Sequence, residues 1–196
     1  MPETTRPALP PHVSLRLAVT TGQRTTRSDL VLVGSRGSVH TPVGSPDATI
    51  SEFTVRELWP TVRRLLPDIP VARSAPAVTR PADRVPPTAE EAAIMPAAVR
   101  HAVTITVAAR TADTRAPSTP DAPDGSEGSD GPDSPDALAL RTWLLTATDL
   151  YSVTAAADGS TTVLRERAGA IAATLQWDVA GALDHLVGAL AGAGAA

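Results

Sequence analysis

Apolar residues alternate with polar or small ones at Val13, Leu15, Leu17 and Val19, a period of two that predicts a half-buried strand. After a polar turn over 20–27, the unbroken apolar run 30–33 predicts a more central strand. Gly34 to Gly37 form a turn into a return strand over 38–43, which Pro42 and Gly44 break or bulge, and 48–53 completes the set. The pattern resumes where Val103, Ile105 and Val107 alternate with threonines. Two further runs, 138–146 and 150–155, flank a turn at Thr148-Asp149, and Ala157-Asp158-Gly159 is a hairpin signal before 161–164.

Elsewhere the period becomes helical. Thr54 and Glu57 are spaced as a capping box, Phe53 and Leu58 as a hydrophobic staple, and Val55, Leu58, Trp59, Val62, Leu65 and Leu66 fall on one helix face. Pro60 removes an interior hydrogen bond, so the helix either kinks there or restarts near it after a short first turn; Pro67 ends it. Thr88 and Glu91 form a second capping box for a short helix over 89–95, stopped by Pro96. Asp178 is placed to cap a terminal helix with the stripe Val179, Leu183, Leu186, Val187 and Leu190. The stretch 164–177 reads two ways. Its alanine content favours a helix, whereas an internal repeat favours strands, including 170–177.

That repeat pairs residues 48–66 with 173–190: a short strand ending in an aromatic (Phe53, Trp177), a helix cap (Thr54, Asp178), then an amphipathic helix. The turn segments 34–39 and 166–171 match upstream. The expectation is an α+β fold, an antiparallel sheet with flanking helices and a pseudo-two-fold repeat of a strand–strand–helix unit. A single domain is expected over 12–191, with halves 12–70 and 99–191 and a proline-rich crossover 67–98. Residues 1–11 and the acidic, low-complexity 112–137 are expected to be disordered, and 192–196 to fray.

Composition narrows the function. A net charge of −4 and the absence of a basic cluster argue against a nucleic-acid partner. Lack of cysteine removes disulfides, thiolate metal sites and thiol nucleophiles, and lack of lysine removes Walker-type and Schiff-base chemistry. His12, His40, His101 and His185 are scattered without ligand spacing. In 121–136 acidic residues recur every third position, unlike the alternate positions of a calcium loop. No metal, cofactor or catalytic set is expected. The N-terminus has no apolar leader, and 179–196 is interrupted by Asp184 and His185, so neither a secretory signal nor a membrane span is expected; a cytoplasmic protein is. The remaining candidates for contact chemistry are Arg141, Trp143 and Tyr151, whose types are enriched at protein interfaces, with core packing as the alternative for the aromatics.

Three pieces carry a resemblance: R-L-A-V-T-T-G and D-L-V-L-V-G-S-R-G-S-V leading to E-L-W-P-T-V-R-R-L-L-P; R-T-W-L-L-T-A-T-D-L-Y-S-V-T-A-A-A-D-G-S-T-T-V-L; and the terminal helix. Their order over 13–70 and 99–191 resembles the EspG family, cytosolic chaperones of actinobacterial type VII (ESX) secretion. The resemblance implies a quasi-two-fold α+β architecture. It also implies a non-enzymatic chaperone that keeps a helical secreted protein or heterodimer soluble by covering its aggregation-prone tip. Two alternatives stay open: a small-ligand-binding or enzymatic α+β domain with a site between its halves, and a structural component such as a homodimer paired through edge strands.

Overall fold

In the computed structural model, which describes residues 10–44, 47–76, 84–110 and 137–193, the alternating segments become eight strands of one antiparallel sheet. The first four are β1 (His12–Thr21), β2 (Arg24–Val33), β3 (Arg36–Thr41) and β4 (Thr49–Thr54). The others are β5 (His101–Arg110), β6 (Ala137–Leu145), β7 (Leu150–Ala155) and β8 (Thr161–Glu166), and the sheet order is β4-β3-β2-β1-β5-β6-β7-β8. Two four-stranded meanders therefore lie side by side, joined by the pairing of β1 with β5. A 3₁₀ turn (Val55–Glu57) and α1 (Leu58–Leu65) follow the first meander, α2 (Ala89–Ala98) precedes the second, and α3 (Ala170–Ala193) follows it. The architecture is α+β. The expected disorder of 1–11 and 112–137, the fraying of 192–196 and the middle of the crossover fall wholly or largely outside the described residues.

Register turns the period of two into a single apolar face. Leu15 pairs with Leu30 and Val107, Val103 with Trp143, and Leu145 with Leu150, so these side chains project together. Leu58, Val62 and Leu66 from the α1 region and Ile171, Leu175, Val179, Ala182 and Leu186 from α3 join them in one buried cluster. Polar residues at 24–27, expected to be turn, are strand. All four are exposed, so no burial leaves an apolar signal in the sequence there.

At the other end, Gly37 of β3 lies opposite Phe53 of β4, and the phenyl ring packs over the glycine. A Cβ at residue 37 would stand 2.8 Å from two ring carbons. The missing side chain thus makes room for the only large side chain β4 buries, as Phe53 is 7% exposed and the rest of β4 faces solvent.

Local helix chemistry follows expectation in part. The Glu57 carboxylate accepts from the Thr54 backbone N–H at 2.8 Å, and Glu91 and Thr88 exchange both bonds of a capping box at 2.8 and 3.2 Å. Of the two outcomes open at Pro60, the restart occurs: the 3₁₀ turn ends at Glu57, and Pro60 lies in the first turn of α1, where an absent N–H costs no helical bond. Pro96 does not stop α2, which runs to Ala98 with the proline inside it.

The fold does not repeat the unit expected over 48–66 and 173–190. Residues 173–177 are helix, within a single α3 of 24 residues. Phe53 is buried in a strand, whereas Trp177 is 80% exposed on α3, and Asp178 is interior to the helix instead of capping it. The turn 166–171 joins β8 to α3 and closes no hairpin. Alanine-rich composition, with apolar residues at 171, 175, 179, 182 and 186, favours helix throughout, and in this stretch that preference prevails.

Candidate functional site

Arg141, Trp143 and Tyr151 are not brought together on one surface. Trp143 is 2% exposed in the core. Arg141, on the same sheet face, makes a bidentate ion pair with Asp178 of α3, at 3.0 Å from Nε to Oδ2 and 3.1 Å from Nη2 to Oδ1. That hydrogen bond is the main reason the guanidinium holds its proton more tightly than usual. Tyr151 pairs with Leu144 and Arg165 and so projects to the opposite face, where it too is buried. Burial, then the charges of Asp149 and Glu91, push its hydroxyl pKa up.

The surface that stands out is the outer side of α3. Over 170–193 the only ionisable residues are Asp178, Asp184 and His185, and Asp178 is taken by Arg141. One side of the helix enters the core through Leu175, Val179, Ala182 and Leu186. The other carries Trp177, Ala180, Gly181, Asp184, Gly188 and Ala191, all exposed, flanked by Val187 at 67% and Leu190 at 51% exposure. A surface helix normally turns a polar face to solvent; here that face holds Asp184, with Gln176 and His185 also exposed, but it also carries an exposed indole. A Cβ at Gly181 or Gly188 would meet nothing within 4 Å among the described residues, so their packing does not require either glycine, although each costs the helix about 1 kcal/mol relative to alanine. Glycines at such positions let another backbone approach closely. The sequence held this signal: with 171, 175, 179, 182 and 186 turned inward, a period of 3.6 places Trp177 on the outside.

A second feature lies at the β8 side of the sheet, where Val85 of the crossover pairs with Arg165 through backbone bonds of 3.3 and 2.8 Å. Arg165 also reaches Glu91 of α2 at 3.0 Å and Asp149 of the β6–β7 turn. The Asp149 carboxyl is held below the usual carboxylate range, first by the Thr148 hydroxyl and then by Arg165. Next to Arg165 in the chain, the Glu166 side chain is 2% exposed and forms an ion pair with Arg84, Oε1 to Nε at 3.1 Å, while Oε2 is buried with no hydrogen-bond partner among the described residues. An unpaired buried oxygen of this kind costs roughly 1–3 kcal/mol. Thr148, Asp149, Arg165 and Glu166 border an open cleft of about 600 Å³ whose apolar walls are Pro70, Val71, Val85 and Ala168. Asp149 is a turn residue, as expected, and nothing in the sequence marks Glu166; the register of β7 with β8 sets Glu166 opposite Leu150 and Arg165 opposite Tyr151, on the other face.

Among the described residues no three histidine, aspartate or glutamate side chains come together to hold a metal. His12 bonds locally to the Pro10 carbonyl, and His101 bonds the Thr21 hydroxyl across the β1–β5 pair. No helix of the described residues is long and apolar enough to cross a membrane. Compared with family models, curated proteins and solved structures, the chain matches none.

Proposed function

We propose that this chain is a non-enzymatic, cytoplasmic protein-binding module, an EspG-like chaperone or adaptor that holds a helical type VII secretion substrate. The observation that carries the reading is α3, about 36 Å long at 1.5 Å per residue, with one side in the core and an outer side that presents Trp177 among small residues and the carboxylate of Asp184. Such a surface fits the apolar side of a partner helix, with the indole as anchor and Gly181 and Gly188 as places of close approach. The side-by-side meanders, each followed by a helix, support reading the fold as a pseudo-two-fold duplication whose unit is larger than the strand–strand–helix repeat sought in the sequence.

The test is co-expression with a helical heterodimer secreted by a type VII system, followed by size-exclusion chromatography and titration. A stable complex is expected, and Trp177→Ala should weaken it by about 2 kcal/mol, roughly thirtyfold, with the thermal midpoint of the free chain unchanged or raised. Gly181→Ala should stabilise the free chain by about 1 kcal/mol while weakening the complex. A complex indifferent to both substitutions would remove α3 from the interface.

A further inference from the structure

We infer that the outer edge of β8 is a strand-addition site for an extended, proline-free segment of a partner protein, with the crossover over 84–87 as its built-in competitor. Val85 and Arg165 exchange both backbone bonds of an antiparallel pair: the Val85 N–H donates to the Arg165 carbonyl at 3.3 Å, and the Arg165 N–H to the Val85 carbonyl at 2.8 Å. Arg165 therefore directs its backbone groups away from β7, and the alternation of an antiparallel ladder directs those of Val163 and Thr161 the same way. The Ala156 N–H donates to the Ser160 carbonyl at the turn of this hairpin, in step with that alternation. Neither Val163 nor Thr161 has a backbone partner on the outer side among the described residues.

The crossover stops pairing after one residue for a chemical reason. Continued in the same register, residue 87 would have to donate to the Val163 carbonyl, but it is a proline, and Pro86 precedes it. Thr88 then caps α2 and the chain leaves the edge. The edge thus already holds an extended antiparallel segment cut short, which shows the kind of occupant it takes. The hold is light: of residues 84–98 only Met95 is buried, and the ion pairs to β8 among the described residues are Arg84 with Glu166 and Glu91 with Arg165. A partner segment with an N–H at the position of Pro87 satisfies Val163 as well as Arg165. Its side chain there would lie beside Val163 and Val153, a half-buried pair, so a β-branched apolar residue fits best. The edge shares no residue with the outer side of α3, so its failure leaves that reading intact.

The experiment is amide chemical-shift titration and hydrogen exchange of the full chain with two blocked peptides. One is acetyl-Arg-Val-Thr-Val-Thr-amide, the sequence of 84–88 with both prolines replaced; the other, acetyl-Arg-Val-Pro-Pro-Thr-amide, keeps them. The first should give saturable shifts over 161–165 with a dissociation constant on the order of millimolar, since it competes with a tethered segment, and should slow exchange of the Val163 amide. The second should bind at least about fivefold more weakly, for want of the donor. Glu91→Ala, which loosens the crossover, should tighten binding of the first peptide by about threefold or more. Pro86→Thr with Pro87→Val, which lets the crossover complete the pairing, should protect the Val163 amide without peptide and abolish binding. Val163→Pro removes an outward N–H and no bond to β7, and should lose the peptide. If that variant does not fold, the comparison of the two peptides on the unaltered chain still decides. Equal binding of the two peptides, no protection of Val163 by the first, binding unchanged in a folded Val163→Pro, or affinity indifferent to both crossover variants would overturn the proposal. Protection of Val163 in the free chain that grows with its own concentration would also overturn it, by assigning the edge to a second copy.

Discussion

Replacing Gly37 with alanine tests the packing at the β4 end of the sheet, because the added methyl has to occupy space that the Phe53 ring fills. The new Cβ would lie 2.8 Å from Cε1 and Cε2 of that ring, against ordinary contacts of 3.4–4 Å, so the ring has to withdraw by more than half an ångström. Phe53 is 7% exposed and held in the buried cluster, which leaves little slack. Overpacking of this kind costs about 1–3 kcal/mol. The φ of residue 37 is not in the left-handed region, so alanine recovers about 0.4–1 kcal/mol by restricting the unfolded chain. The net expectation is a destabilisation of about 1–2 kcal/mol, which for a chain of this size lowers the thermal midpoint by roughly 2–8 °C. Differential scanning calorimetry measures it directly. The decisive comparison is a double-mutant cycle with Phe53→Leu. With the smaller side chain opposite, Gly37→Ala should become neutral or stabilising, giving a coupling of at least about 1 kcal/mol. A midpoint that stays or rises when Gly37→Ala is made alone would show that the ring does not occupy that space.

The Arg141–Asp178 pair should respond asymmetrically. Arg141→Ala strands a carboxylate whose side chain is 6% exposed and should cost about 3 kcal/mol, whereas Asp178→Ala leaves a guanidinium 49% exposed that water can solvate and should cost about 1 kcal/mol; urea midpoints for the two variants check the order. Asp149 should contribute to acid sensitivity. Its folded-state pKa is depressed, so its contribution is fully present above the unfolded carboxylate value of about 3.9 and is lost as pH falls through the lower folded value. Asp149→Asn should therefore be less stable than the unaltered chain at pH 7, with the difference shrinking below about pH 4 in urea titrations. A difference that stays constant with pH would rule out the charged form as its source.

The sequence by itself determined the strands whose side chains alternate between core and solvent, because a period of two is a direct record of which face is buried. It also determined both capping boxes, which involve residues three apart and need no tertiary context. It missed the part of β2 over 24–27, where all four residues are exposed and no burial pattern is imposed. It gave two readings of 164–177, since alanine satisfies a helix and a small apolar strand almost equally. Only the tertiary structure decided between them: β8 ends at Glu166, α3 begins at Ala170, and Trp177, expected at the end of a strand, lies on the outside of a helix. The same holds for Trp143 and Tyr151, neighbours in sequence whose strand register sends one to each face of the sheet. Glu166, Asp149 and Arg84 carry no spacing that announces them. Arg84 reaches Glu166, and Asp149 reaches Arg165, because β7 pairs with β8 and the crossover runs along the edge of that pair, contacts between residues far apart in the chain that no local pattern encodes.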